Sequence, residues 1–339
     1  MTTLSEIVVR KQGDPSVFTP NTRPLPPPGA REVLLEQRAV GVNFVDLNHR
    51  AGTPYPIEVP FVPGIEAVGR VLNIGDGVDK ALVGRQMGYA GPMPGAYASH
   101  AIVPSEHLIE VSDDVDLTVG AAMLMQGMTA WYLANLVVTL TADDIALVHA
   151  AATGVGRHLT AFLARKGVHV IGTSRAENSR DTILASGAKQ AIIVDDAEKL
   201  DEQVEQLNGV KHQVTAVFDS VGGRYTLPSL RTLRSKGLYV NYGLAGGMMP
   251  PIEIGALAGF YDHSFAGSLR AQWASMGDYL DTPSLRQQAA NAVFAAVKDG
   301  TLALPSIKTL ALQDAAKAHE LMETRAFDGK LVLLPQRQS

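Results

Sequence analysis

The spacing of apolar positions changes twice along the chain, and the sharpest pattern lies in the middle. Ile145 to Ala150 is a short apolar run containing branched residues, the pattern of a buried parallel strand. Small residues and glycines follow at once, in Ala151-Ala-Thr-Gly-Val-Gly156. Val155, Leu159, Phe162 and Leu163 then recur at helical spacing. Arg165 and Lys166 fall in the last turn, where they complement the helix dipole, and Gly167 can cap it. His169 to Ser174 reads as a second strand. Strand, tight turn, helix and strand form the dinucleotide-binding unit, in which backbone N–H groups at the helix start reach a pyrophosphate. Ala151, Thr153 and Gly156 fill the three glycine places of the fingerprint, with Gly154 between. The motif alone therefore also fits an ordinary strand–helix turn.

The alternation continues downstream. Ala191 to Val194 is a strand, and a helix follows with Ala197, Leu200, Val204 and Leu207 on one face. Val214 to Phe218 is a strand ending at Asp219; a helix from about Tyr225 to Leu233 leads to the strand Leu238 to Tyr242, and His263 to Leu269 is read as the last strand. This βαβ repetition predicts a parallel, doubly wound sheet. The part up to about Glu110 has a different texture. Ile7 to Arg10 and Glu32 to Arg38 read as strands, joined by the rigid, non-helical Pro24-Leu-Pro-Pro-Pro-Gly29. Ala39 to Gly52 sets polar residues among apolar ones, and glycines punctuate the next stretch from Gly75 to Gly95. Short strands between glycine turns predict a small, partly closed β-structure. Ala121 to Leu133 and Ser284 to Lys298 read as helices and Lys330 to Leu334 as a strand, so the tail is expected to rejoin the first domain.

Composition narrows the function classes. A chain of 339 residues has room for two domains, and 46% hydrophobic with 19% charged residues is ordinary for a soluble globular enzyme. The net charge of −5 argues against a nucleic-acid binder. There is no cysteine, which excludes disulfides, thiolate zinc sites and a cysteine nucleophile. His49, His149 and His158 show no metal-binding spacing, and no metal is expected. No signal peptide or membrane span is read, and a cytoplasmic protein is expected.

Several segments, in order and with matching spacing, carry a resemblance that covers nearly the whole chain. They are Val40 to Asp46, Pro63 to Gly69, Gln126 to Leu133, His149 to Gly156, Val217 to Gly222, Lys236 to Gly243 and Thr324 to Pro335. With these the chain resembles the medium-chain dehydrogenase/reductase superfamily and, within it, the zinc-free quinone oxidoreductases. The resemblance implies an α/β fold: a GroES-like (chaperonin-10-like) β domain, residues 1–126 and 271–339, and a Rossmann domain with a doubly wound parallel sheet, residues 127–270. The cleft between them would hold the nicotinamide. Ile65 stands where zinc-dependent relatives have a histidine, which with the lack of cysteine makes zinc-assisted alcohol oxidation a poor fit.

The resemblance also supplies candidate site residues. Asn43 would lie beside nicotinamide and substrate, its amide donating to a carbonyl oxygen, although an asparagine there can also bond its own backbone. Asp46 either fixes the loop or takes part in catalysis. Tyr55 would line the substrate pocket or sit half-buried at the surface, and Asn48 replaces a further pocket tyrosine. Gln126 and Thr129 match a helix placed against the cofactor. Thr153, Gly154, Val155 and Gly156 would approach the pyrophosphate, with Thr153 either shifting the turn or adding its hydroxyl. Tyr242, Gly243 and Leu244 form a strand end at the ligand-binding edge of the sheet.

NADPH is the expected cofactor. The second strand ends in Ser174-Arg175 and carries no carboxylate to repel a 2′-phosphate, and Arg180 and Arg325 are further candidates for that phosphate. Ser179 takes the place of the family's lysine, and Val194 that of its stacking tyrosine. The implied activity is zinc-independent hydride transfer from NADPH to a quinone or related α,β-unsaturated carbonyl. The implied partners are that small molecule and a second copy of the chain, paired through His263 to Leu269, with neither nucleic acid nor membrane. The alternative is a non-catalytic nucleotide-binding scaffold with an RNA or protein partner.

Overall fold

The computed structural model describes residues 3–91, 93–260 and 263–335. The chain forms two compact units. One comprises Met1–Met128, Leu280–Ala295 and Leu304–Ser339; the other comprises Thr129–Tyr279 and Ala296–Ala303. In chain order the first unit opens with β1 (Thr3–Val9), β2 (Phe18–Pro24), β3 (Glu32–Gly41), α1 (Phe44–Ala51), β4 (Glu66–Ile74), β5 (Gln86–Ala90), β6 (His100–Pro104), β7 (Ile109–Glu110) and α2 (Leu117–Tyr132). Then come β8 (Ile145–Val148), α3 (Gly154–Arg165), β9 (His169–Ser174), α4 (Arg180–Ala185), β10 (Gln190–Ile193), α5 (Leu200–Asn208), β11 (Val214–Asp219), α6 (Thr226–Thr232), β12 (Leu233–Asn241), β13 (Arg270–Trp273) and α7 (Met276–Tyr279). The tail adds α8 (Pro283–Lys298), β14 (Ile307–Ala311), α9 (Ala315–Glu323) and β15 (Lys330–Leu334). No helix among the described residues is long and apolar enough to cross a membrane.

The second unit is built on a six-stranded sheet in the order β10-β9-β8-β11-β12-β13, with every pair parallel. Successive strands step outward from β8 in one direction and from β11 in the other. Crossovers of one hand then put helices on opposite faces, the doubly wound Rossmann arrangement. The order reverses between β8 and β11, so the turns leaving those strands form the switch point where ligands bind in such sheets. Leu147, Ile171, Val217 and Tyr239 are buried at the centre. Leu200 and Val204 point into this core as the helical pattern requires, whereas Leu207 is 40% exposed.

The last strand is a correction. His263 to Leu269 does not form it; the strand is β13, Arg270–Trp273. Gly267 (φ 98°) and Ser268 (φ 51°) hold left-handed backbone, which no strand accommodates. The Gly267 carbonyl instead accepts from Lys236 N–H, and Leu269 N–H donates to the Leu257 carbonyl.

In the first unit β14, β15, β3, β4, β5 and β7 lie side by side, and β6 also pairs with β3. Val33, Leu35, Val40, Val71, Tyr97 and Leu333 belong to its buried core. Register matters here more than composition. Val332 lies opposite Gly41, Ala67 lies opposite Val40, and Val42 N–H donates to the Leu331 carbonyl at 3.0 Å. The start of α1, the first residue of β4 and the first residue of β15 therefore converge.

Candidate active site

The second unit carries the strand–turn–helix arrangement common to dinucleotide-binding folds. After β8 the chain reverses through Ala150, at φ 51°, and enters α3 with Thr153 as the residue before the helix. The Thr153 side chain caps nothing, so it leaves the first N–H groups of the helix for another acceptor. Gly156 sits where a Cβ would overlap the Ala150 carbonyl, so the close approach of helix to turn depends on that glycine. Thr153 is exposed and Gly154 and Val155 are partly exposed. These are the features that admit a pyrophosphate.

At the end of β9, Ser174 Oγ accepts from Ala176 N–H at 3.2 Å, and Arg175 is exposed. Burial raises the phenol of Tyr225, and the positive charges of Arg175 and Arg224 oppose that rise. Arg180 is engaged elsewhere: it donates to the Ala191 carbonyl at 2.9 Å and lies 3.6 Å from Glu177. After β11, Asp219 is fully buried; its Oδ1 accepts from Val221 N–H (2.6 Å) and Gly222 N–H (3.0 Å), and its Oδ2 accepts from Tyr239 (2.6 Å). It thereby sets the loop beside the β8 turn. After β12, Tyr242 N–H donates to the Asp219 carbonyl, Gly243 N–H to Asn241 Oδ1 at 3.3 Å, and Leu244 is buried. Thr129 is also buried, with its hydroxyl 3.9 Å from Met276 Sδ. His149 is a core histidine held between Thr173 and Ser229, each at 2.8 Å.

The first unit holds a buried polar centre. Lys330 and Glu66 are 1% and 0% exposed, and Lys330 Nζ donates to Glu66 Oε2 at 2.8 Å. Lys330 Nζ also donates to Asn43 Oδ1 at 2.7 Å, while Asn43 Nδ2 donates to Glu66 Oε2 at 2.8 Å. Glu66 Oε1 accepts from Met125 N–H in α2 at 2.6 Å. Gly41 leaves room: a Cβ there would collide with Glu66 and with the Ala121 carbonyl. Asn43 is the residue before α1 and forms a capping box with Asp46, while its side chain also faces Lys330 and Glu66.

Asp46 fixes this turn by accepting from Asn43 N–H at 2.8 Å. Its Oδ2 also accepts from Tyr97 (3.3 Å), and Tyr97 lies 2.9 Å from His319 Nε2. Burial raises the Asp46 carboxyl to about 7 and lowers His319 to about 3, with Arg50 beside His319 adding to the drop. Tyr55 is half-buried, and burial raises its phenol to about 12, which keeps it protonated at neutral pH. Gln126 is partly exposed on α2. Arg325 is exposed just after α9, in the first unit, at φ 54°.

Comparison with known proteins identifies the family. A family model described as alcohol dehydrogenase GroES-like domain matches residues 29–113, and one described as zinc-binding dehydrogenase matches residues 186–333. The chain is 35% identical to the 2-haloacrylate reductase of Burkholderia sp. over 334 residues, which cover 97% of this chain and 98% of that protein. It is 32% identical to the quinone oxidoreductase of Salmonella typhimurium over 338 residues, covering 98% of this chain and 99% of that one. The solved structure of Escherichia coli quinone oxidoreductase complexed with NADPH superposes with a TM-score of 0.89 at 29% identity, covering 98% of this chain and 100% of that chain. The chain belongs to the quinone oxidoreductase family. It is an oxidoreductase of the medium-chain dehydrogenase/reductase type, with a GroES-like domain and a Rossmann domain.

For a member of this family, sequence reading singled out the β8–α3 turn and Asn43 but gave no role to Glu66, Lys330 or Asp219. All three lie inside the segments that carried the resemblance. A charged residue in an apolar run (Ile65-Glu-Ala-Val or Lys330-Leu-Val-Leu) was the available signal, since charges are almost never fully buried unless paired. No group of three or more metal-ligating side chains is assembled among the described residues.

Proposed function

We propose that this quinone oxidoreductase-family protein is a zinc-independent, NADPH-dependent reductase of a quinone or related α,β-unsaturated carbonyl. The observation that supports the nucleotide assignment is the turn after β8, where an uncapped helix start, packed close to the turn because Gly156 has no Cβ, offers its N–H groups to a pyrophosphate. Backbone N–H groups of Gly154, Val155 and Gly156 are assigned to it, with the Thr153 hydroxyl as an added donor. Ser174 and Arg175 are assigned to the 2′-phosphate, and Gln126, Thr129 and Tyr242 to Leu244 to the remainder of the nucleotide. Arg180 drops out, because Glu177 and the Ala191 carbonyl already hold its guanidinium.

Bound NADPH would supply a hydride, which carries both electrons. A quinone that accepts them needs one further proton from water to become a hydroquinone, so the site requires no strong acid. Asn43 donates toward the acceptor oxygen as negative charge grows there. For an activated alkene the hydride goes to the β-carbon and a proton to the α-carbon; Tyr55, held protonated by burial, is the assigned source. The likeness to a 2-haloacrylate reductase supports an activated alkene, and the likeness to quinone oxidoreductases supports a quinone. Loss of nicotinamide absorbance with a panel of quinones and enones tests the assignment. Tight NADPH binding without turnover of any of them would favour the scaffold reading instead.

Selectivity for NADPH over NADH is assigned to Arg175. A charge-assisted hydrogen bond contributes about 1.5–3 kcal/mol, so Arg175→Ala is expected to lower the NADPH/NADH ratio of kcat/KM by about tenfold or more. Steady-state kinetics with both cofactors at one ionic strength would read this, and an unchanged ratio would remove Arg175 from the phosphate site. We further propose a homodimer through β13, the edge strand of the parallel sheet, where Trp273 is 42% exposed. Sedimentation at micromolar concentration should show a dimer that Trp273→Glu weakens; a monomer in the parent protein would refute the pairing.

A further inference from the structure

We propose that Lys330 and Glu66 are positioning residues that hold the Asn43 carboxamide in one orientation, with a single Nδ2–H left as the donor for the acceptor oxygen. The proposal rests on the donor role given to Asn43 above. Its basis is the chemistry of the three groups. An ammonium only donates, so the atom 2.7 Å from Lys330 Nζ must be the amide oxygen. A carboxylate paired with that ammonium only accepts, so the atom 2.8 Å from Glu66 Oε2 must be the amide nitrogen. Both ends of the carboxamide are thus assigned, and a flip would set donor against donor and acceptor against acceptor. One N–H is used by Glu66, which leaves one.

The surroundings make this arrangement rigid. Lys330, Glu66 and Asn43 are 1%, 0% and 5% exposed, so water does not offer alternative partners. Glu66 is held a second time by Met125 N–H, and Gly41 opens the space it occupies. Asn43 is held a second time through its backbone N–H on Asp46. The cation on Oδ1 also withdraws electron density from the amide, which strengthens the remaining N–H as a donor toward a developing oxyanion. A cluster whose purpose was only to close the sheet would not need an amide whose two ends are distinguished; two apolar side chains would fill the space without buried charge.

The test is a double-mutant cycle on kcat with NADPH and 1,4-benzoquinone, using Asn43→Ala, the charge-balanced pair Glu66→Gln with Lys330→Met, and the combined triple variant. NADPH affinity, read from nucleotide fluorescence, should stay within about twofold, so that losses are confined to kcat. Asn43→Ala and the pair are each expected to lower kcat about tenfold or more. The triple variant is expected to be no slower than Asn43→Ala alone, because the pair acts through the amide. Additive losses, or full kcat in the pair variant, would overturn the proposal while leaving the Asn43 donor role intact. Full kcat in Asn43→Ala would instead overturn the donor role, and the proposal with it. Should the pair variant not fold, Glu66→Asp serves in the cycle: it keeps the charges balanced and draws the carboxylate back from Asn43 Nδ2 by one methylene.

Discussion

Replacing Lys330 alone with methionine is expected to destabilise the first unit by about 3–5 kcal/mol, the usual cost of leaving a buried charge without its partner. Glu66 is fully buried and its Oε2 lies 2.8 Å from the ammonium. Without Lys330 the carboxylate keeps two N–H donors, from Asn43 and Met125, so the loss should fall toward the lower end of that range. Glu66→Ala should be worse, since Lys330 would then keep only Asn43 Oδ1. The pair Glu66→Gln with Lys330→Met should cost much less than either, because no charge remains buried. The probe must be chosen with the architecture in mind. Trp131 and Trp273 both lie in the second unit, so tryptophan fluorescence would not report the change. Amide hydrogen exchange in β3, β4 and β15 would report it directly. Protection unchanged in Lys330→Met would show that Glu66 is not held as a buried anion.

Asp46→Asn is expected to convert a flat dependence of stability on pH into a steep one. Two buried groups of opposite sign meet through Tyr97. Burial raises Asp46 to about 7 from an ordinary 3.8, with Glu66 adding to the rise and the Asn43 N–H, Lys330 and Tyr97 opposing it. Between those values the native state holds a proton that the unfolded chain has released. Its contribution to stability is complete below about 3.8 and is lost as pH rises through about 7. Burial and Arg50 lower His319 to about 3 from 6.5, so here the unfolded chain holds the extra proton. That contribution is present above 6.5 and is lost as pH falls toward 3. From about pH 6.5 to pH 4 the two slopes oppose each other and largely cancel. Removing the Asp46 titration leaves His319 unopposed, and stability relative to the parent should fall by up to about 1.4 kcal/mol for each pH unit descended. Urea midpoints by circular dichroism for parent and variant at pH 4–8 give the difference free of the other titrating groups. A difference that does not vary with pH would contradict this reading.

Much of the Rossmann unit was legible because its strands are short apolar runs and its helices carry one apolar face; Leu147, Ile171, Leu200 and Val204 all lie in the core. The last strand was not legible. His263 to Leu269 has strand-like composition, but the left-handed backbone at Gly267 and Ser268 follows from contacts with Lys236 and Leu257, which no local pattern encodes. Helix α1 was also missed, since half of Phe44 to Ala51 is polar and several of its polar residues, Asp46, His49 and Arg50, are buried. The Asn43 environment was half legible. Its neighbours in sequence identify the segment, but Glu66 lies 23 residues away and Lys330 lies 287 away. Only the register of β15 and β4 on either side of β3 brings them together.

That register has a consequence for the order in which the protein is made. The second unit is encoded almost without interruption and can close as soon as Ala303 has emerged. The first unit cannot, because β3 waits for a neighbour that begins at residue 330, and Glu66 waits with it for its counter-charge. A nascent chain stalled before that lysine should therefore present a protease-resistant parallel sheet behind an N-terminal segment that is still cleaved, although that segment was synthesised first. Resistance of both parts at that stage would show that the sheet closes without its final strand. For this fold, a strand translated late completes a sheet begun early.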